Sequence, residues 1–195
     1  MECRMTEQTN AYWDTRFSTD WEARHGKEQT AYFADLIINN INPRVLYETN
    51  SALDWGCALG QLCDKWAYHT GTKDVVGYDF SKTACSHAKE LFPQIEFVTE
   101  PPKRRFDVVI TSNFLEHVLD PLAYINRFAN MADMYIVCLC PYKNRVFDEH
   151  VTSISDEHFP DEVLSFVKIQ QKIIQCNEPL YWTEKQILVV YKKTR

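Results

Sequence analysis

With 195 residues, 45% of them hydrophobic and 25% charged, the chain is long enough for one well-buried core, short for two full domains and too apolar for disorder. A formal net charge of −6 makes long-range attraction to a nucleic-acid backbone unfavourable, so a nucleic-acid partner is not expected. No run approaches the length of a membrane span and Met1-Glu2-Cys3-Arg4 is too polar to begin a secretory signal, so a cytoplasmic location is expected. Seven scattered cysteines, with no C-x-x-C pair, read as reduced thiols, and no metal is expected at them.

The chain opens with Tyr12, Trp13, Phe17 and Trp21 among polar residues, followed by a helical pattern over 29–40. From Ser51 onward short apolar runs alternate with helical patterns, the sign of a parallel sheet wrapped by helices. A strand over 52–54 runs into Asp54, then Gly56 and Gly60, and a helix follows over 59–69 with Leu62 and Trp66 turned to the core and Gly71 ending it. A second strand spans 74–78 and stops at Asp79. Ser81 caps a helix that runs to Leu91, and a third strand covers 95–98.

Pro101-Pro102 forms a loop that carries on into Lys103-Arg104-Arg105, a solvated basic cluster. The apolar run 106–111 suits a central strand buried on both faces. Pro121 opens a helix to Asn130, and 134–139 is a fifth strand on which Cys138 and Cys140 face one side as small buried hydrophobes. The segment 141–159 is long, polar and without period, as functional loops often are. Strands at 166–174 and 186–191, around the Asn177-Glu178-Pro179 loop, make a hairpin that closes one edge of the sheet.

Residues 51–60 carry the most chemical information. Glycines let a backbone turn approach a ligand, and the following helix offers unpaired N–H groups. A carboxylate at the mouth, Asp54, would repel phosphate, so the ligand should carry positive charge or donors, and S-adenosyl-L-methionine fits. A dinucleotide fingerprint starting at Gly56 would need glycines where Ala58 and Gln61 stand. Asp79, 25 residues after Asp54, ends the next strand, where a doubly wound sheet places an acid on both ribose hydroxyls.

The run Asp54-x-Gly56-x-Ala58-x-Gly60 resembles the D-x-G-x-G-x-G signature of class I S-adenosylmethionine-dependent methyltransferases, small-molecule type, departing from it at Ala58. The resemblance extends over about 30–193. It implies a Rossmann-like, doubly wound, mostly parallel seven-stranded α/β sheet with an antiparallel C-terminal strand and helices on both faces. It also implies that residues 1–50 form a helical cap belonging to the same domain as a cofactor-binding core at 51–195, with the N-terminal aromatics over the acceptor. By the same resemblance Gly56, Cys57, Ala58 and Gly60 join Asp54 and Asp79 around the cofactor, Phe80 packs on adenine, Glu100 lies near the adenine amino group, and Ser112 and Asn113 flank the methionine portion. The run Leu115-Glu116-His117-Val118 is similar to the family's fourth-strand motif.

The reaction implied is methyl transfer to an oxygen or nitrogen of a small-molecule, glycan-like or lipid-like acceptor, an in-line displacement that requires an aligned and deprotonated nucleophile. His150 and His117 are the candidate bases, ahead of His158; Asp148, Glu149 and Glu157 share the long loop. One alternative is metal-assisted 2′-O-methylation of RNA, because Glu116-His117 with His150 resembles part of the ligand set of small-RNA methyltransferases; Asn113 stands where a further acid would be wanted. The other is a non-catalytic module that binds cofactor or a partner, a reading kept open by Ala58.

Overall fold

The computed structural model describes residues 8–146 and 149–194; Cys3 and Asp148 lie outside them. Eight strands form one sheet: β1 (Ser51–Trp55), β2 (Asp74–Tyr78), β3 (Glu96–Val98), β4 (Phe106–Ser112), β5 (Ala132–Pro141), β6 (Glu162–Val163), β7 (Phe166–Gln175) and β8 (Lys185–Lys193). Their order is β3-β2-β1-β4-β5-β8-β7-β6. The first five are parallel, and β8 runs antiparallel to both β5 and β7, so the expected hairpin does close one edge. One strand exceeds the expected seven. It is the two-residue β6, which folds back onto Phe166 and Val167 through Leu164, a non-glycine residue at φ 52°.

Alternation along the strands builds two cores. Ala52, Val75 and Val108 face one side, where they meet Phe33 and Ile37 of α2 (Gly26–Asn40) and Trp66 of α4 (Gln61–Thr70). Leu53, Val76 and Val109 face the other, against Ile125 and Phe128 of α6 (Pro121–Met131). Capping agrees with the sequence: Ser81 Oγ accepts from Ala84 N at 3.1 Å at the start of α5 (Lys82–Leu91), Asp120 and Pro121 open α6, and Gly71 ends α4 at φ 71°.

Two helices before β1 add to the expected one, α1 (Asn10–Thr19) and α3 (Pro43–Glu48). The signal for α1 was present as Trp13 and Phe17 at helical spacing; Thr9 caps the helix by accepting from Tyr12 N at 3.3 Å. All six described cysteines are buried and free, Cys138 and Cys140 wholly so. Arg104 and Arg105 of the basic loop pair with Asp74 and Asp133 at the surface. Among the described residues no helix is long and apolar enough to cross a membrane.

Candidate active site

Strand order reverses between β1 and β4, and the carboxyl ends of these strands open the crevice where such sheets take ligands. A cavity of about 250 Å³ lies there. The chain leaving β1 turns tightly: Gly56 N and Cys57 N both donate to Tyr78 O, at 2.8 and 3.0 Å, and Gly60 N donates to Cys57 O at 2.8 Å. Gly56 and Gly60 hold φ values of 79° and 84°, and Ala58 adopts the same left-handed region at 47°. Ala58 therefore accepts a conformation suited to glycine, at about 1 kcal/mol.

Gly60 has a packing role as well. A Cβ there would meet the Phe97 ring at 2.6 Å, and one on Gly77 would meet the same ring at 2.5 Å. These two glycines vacate the space that Phe97 fills beneath the loop, and Gly60 does not itself line the cavity.

Asp54 and Asp79 lie buried at the ends of β1 and β2. Asp79 accepts from Ala58 N at 3.1 Å and from Ser81 N at 2.9 Å; Asp54 accepts from Cys63 Sγ at 3.4 Å. Neither is ion-paired among the described residues. Burial raises Asp54 to about 7 and Asp79 to about 6, against those hydrogen bonds. Two buried carboxyls that titrate close to neutral pH at a ligand cavity are, once ionised, an acceptor set suited to a cation or to hydroxyl donors.

Helix α1 roofs this end. Phe17 packs with Ala58, Leu59 and Ala84, while Asp14 Oδ1 accepts from Ser81 Oγ at 2.6 Å and Thr83 N at 3.2 Å. The same helix reaches across the cavity, where Tyr12 donates to Glu149 at 2.5 Å and Arg16 lies 3.1 Å from that carboxylate. Trp13 meets the edge of the His117 ring at 4.9 Å between centroids.

At the far end, β4 finishes at Ser112, and Asn113, at φ 50°, bends the chain toward a single 3-10 turn, Leu115–His117. Glu116, His117 and His150 converge there, each offering a ligand atom within 4.8 Å of the others. The loop carrying His150 is stitched to the turn: Thr152 N donates to Glu116 O at 3.0 Å and Thr152 Oγ1 to Val118 O at 2.6 Å. His117 Nδ1 lies 2.7 Å from Glu149 O, so it carries the proton and leaves Nε2 as the acceptor nitrogen. Burial lowers His117, with the Glu149 and Asn113 carbonyls opposing, and drives His150 down to about 3. Both rings are neutral at ordinary pH.

Of the residues expected from sequence, Asp54, Gly56, Cys57, Ala58, Asp79 and Phe80 line the cavity. So do Ser112, Asn113, His117 and His150. Glu100 does not. It is exposed after β3 and lines a separate depression, because the chain turns outward into Pro101-Pro102. His158 is also elsewhere, with its Nδ1 accepting from Ser155 N at 3.1 Å in a local cap. Sequence reasoning missed Tyr124 and Arg127 on α6, which line the cavity with Arg127 stacked on Trp55 at 4.5 Å. Their three-residue spacing on a helix after β4 was the available signal. Trp182, from the β7–β8 connection, had none.

A family model described as a methyltransferase domain matches residues 25–170. The chain belongs to the class I S-adenosylmethionine-dependent methyltransferase family. Among solved structures it is similar to magnesium protoporphyrin IX methyltransferase from Synechocystis with bound S-adenosylhomocysteine, at 16% identity and TM-score 0.63 over 90% of this chain and 85% of that one. It is also similar to the N-methyltransferase NodS from Bradyrhizobium japonicum, at 15% identity and TM-score 0.56 over 75% and 79%. The plantazolicin methyltransferase BamL matches at 12% identity and TM-score 0.59 over 95% and 90%. Identities this low establish a shared fold only. No curated protein matches the chain.

Proposed function

We propose that this protein transfers a methyl group from S-adenosyl-L-methionine to an oxygen or nitrogen of a small-molecule, glycan-like or lipid-like acceptor. The observation that carries this reading is the polarity of one cavity, with two buried acids at the end flanked by β1 and β2 and two neutral imidazoles at the end flanked by β4 and β5. In this reading Asp54 faces the cationic methionine portion and Asp79 takes the ribose hydroxyls. Phe80 packs on adenine, and the backbone at Gly56, Cys57, Ala58, Ser112 and Asn113 shapes the crevice.

The acceptor enters beside His117 and His150, either of which can take its proton as the new bond to carbon forms and the carbon–sulfur bond breaks. Positive charge on sulfur is lost in that step, so a water-poor cavity roofed by Trp13 and Phe17 favours the transition state over the ground state. The test is a screen of hydroxyl and amine acceptors for release of S-adenosylhomocysteine. Turnover that vanishes in His150→Gln while S-adenosylhomocysteine still binds supports the assignment; full turnover in that variant overturns the role of His150.

A further inference from the structure

Five aromatic rings from four separate segments run around the cavity to the two imidazoles. Trp13 and Phe17 of α1 lie 6.1 Å apart between centroids, and Phe17 meets Trp21 of the following turn at 4.7 Å. Phe33 of α2 meets Trp182 of the β7–β8 connection at 5.8 Å. The imidazoles join these two groups: Trp13 lies against His117, His117 against His150 at 5.1 Å, and His150 against Trp182 at 6.3 Å. All of these rings line the cavity. Trp182 is held in place by its own backbone, which donates to Glu178 O at 2.8 Å, and by Gln29 Nε2, which donates to Tyr181 O at 2.8 Å.

Two of the rings carry an unmet polar group. Nε1 of Trp21 and Nε1 of Trp182 are buried with no hydrogen-bond partner among the described residues. An indole N–H can only donate, and a buried donor left unmet is costly. A ligand with flat apolar faces and an oxygen acceptor supplies what this lining lacks.

The bases narrow the nucleophile. An imidazolium has an ordinary pKa of about 6.5, against about 10 for a phenol and about 15.7 for water, which an aliphatic hydroxyl approaches. Proton transfer to His117 or His150 is therefore feasible from an aromatic hydroxyl and steeply uphill from a sugar or aliphatic one. An ammonium is poorly served at this end, because Glu149 is engaged by Tyr12 and Arg16, and burial holds Glu116 largely neutral at pH 7. Resting on the methyl-transfer reading, we propose that the acceptor is a planar aromatic hydroxyl compound, seated among Trp13, Trp21, Phe33 and Trp182, with a second oxygen that accepts from the Trp182 indole N–H. The phenol proton passes to Nε2 of His117 or to His150 as the oxygen–carbon bond forms. The electron pair of the broken carbon–sulfur bond stays on sulfur, an aryl methyl ether and a neutral thioether leave, and the imidazolium returns its proton to water.

The test is calorimetric titration of the full chain, saturated with S-adenosylhomocysteine, with four probes. These are 7-hydroxycoumarin, 2-naphthol without the carbonyl, saturated 2-decalol and the ammonium of 2-naphthylmethylamine. The coumarin is expected to bind at least about tenfold more tightly than the decalol or the amine, with the naphthol between. Trp182→Leu should weaken the coumarin by about tenfold or more, and Trp182→Phe, which keeps an aromatic face, by about two- to tenfold while leaving the naphthol within about twofold. With S-adenosylmethionine the coumarin should give its methyl ether, read by mass spectrometry. If Trp182→Leu no longer binds S-adenosylhomocysteine it has lost its fold, and Trp182→Phe decides. Failure of the unaltered chain to bind S-adenosylhomocysteine overturns the methyltransferase reading. S-adenosylhomocysteine binding with neither phenol bound, with the decalol or the amine bound as tightly, or with coumarin affinity unchanged in folded Trp182 variants overturns the acceptor class alone.

Discussion

At the scale of single residues, the chemistry turns on carboxyls whose charge depends on what occupies the cavity. Burial holds Asp54 near 7 and Asp79 near 6, so below these values the empty site presents neutral acids and above them carboxylates. A cationic ligand prefers the carboxylates. Affinity for S-adenosylmethionine should therefore rise from pH 5 to pH 8, by at most about tenfold per unit for each carboxyl, as read by calorimetry across that range. The stability of the empty protein runs the other way. Folded-state values raised above the ordinary value of about 3.9 give stability that is complete below it and is lost as pH rises through about 6 and 7, so the ligand-free thermal midpoint should decline from pH 5 to pH 8. Ala58→Gly separates conformation from space at the departure from the glycine signature. Relief of the left-handed strain, about 1 kcal/mol, is offset by a similar gain in unfolded-chain entropy. Stability is expected to stay within about 1 kcal/mol, and cofactor affinity not to fall; a large loss of either would show that the methyl group of Ala58 is itself required.

At the scale of elements, the cradle depends on Phe97 of β3 lying in space left by Gly60 after β1 and Gly77 in β2. Gly77→Ala should cost about 1–3 kcal/mol by overpacking, measured by denaturant unfolding, and should weaken cofactor binding through the loop rather than through any direct contact. The roof is the second element-level device. Helix α1 is tied to α5 through Asp14 and Ser81, and to the loop after β5 through Tyr12 and Glu149. Phe17→Ala, which removes the ring packed on Ala58, is expected to speed cofactor release in stopped-flow exchange while the sheet keeps its unfolding cooperativity. Strands and caps from Ser51 onward were legible because two-residue and helical periods, Ser81 and Pro121 each dictate local geometry. The roof was half legible: Trp13 and Phe17 keep helical spacing, but their polar neighbours masked it. The edge strand β6 was not legible, since it forms only where β7 offers it a partner.

At the scale of the whole molecule, strand order places the carboxyl ends of β1, β2 and β4 around one cavity, which is why residues 54–58, 78–80, 112–114 and 116–118 meet although far apart in sequence. That convergence could be read from the glycine loop and from acids at strand ends. What could not be read is how the aperiodic segment 141–159 folds over it, bringing in His150 and leaving His158 in a local turn. The Glu116, His117 and His150 cluster depends on that path, as does any choice of acceptor. The most direct test of the methyltransferase assignment is calorimetric titration of the full chain with S-adenosylmethionine, alongside Asp79→Ala. One site per chain is predicted, with affinity reduced by about 10- to 100-fold in the variant, as loss of a hydrogen bond to a charged group implies. No binding by the unaltered chain, or the same affinity in Asp79→Ala, would contradict the assignment.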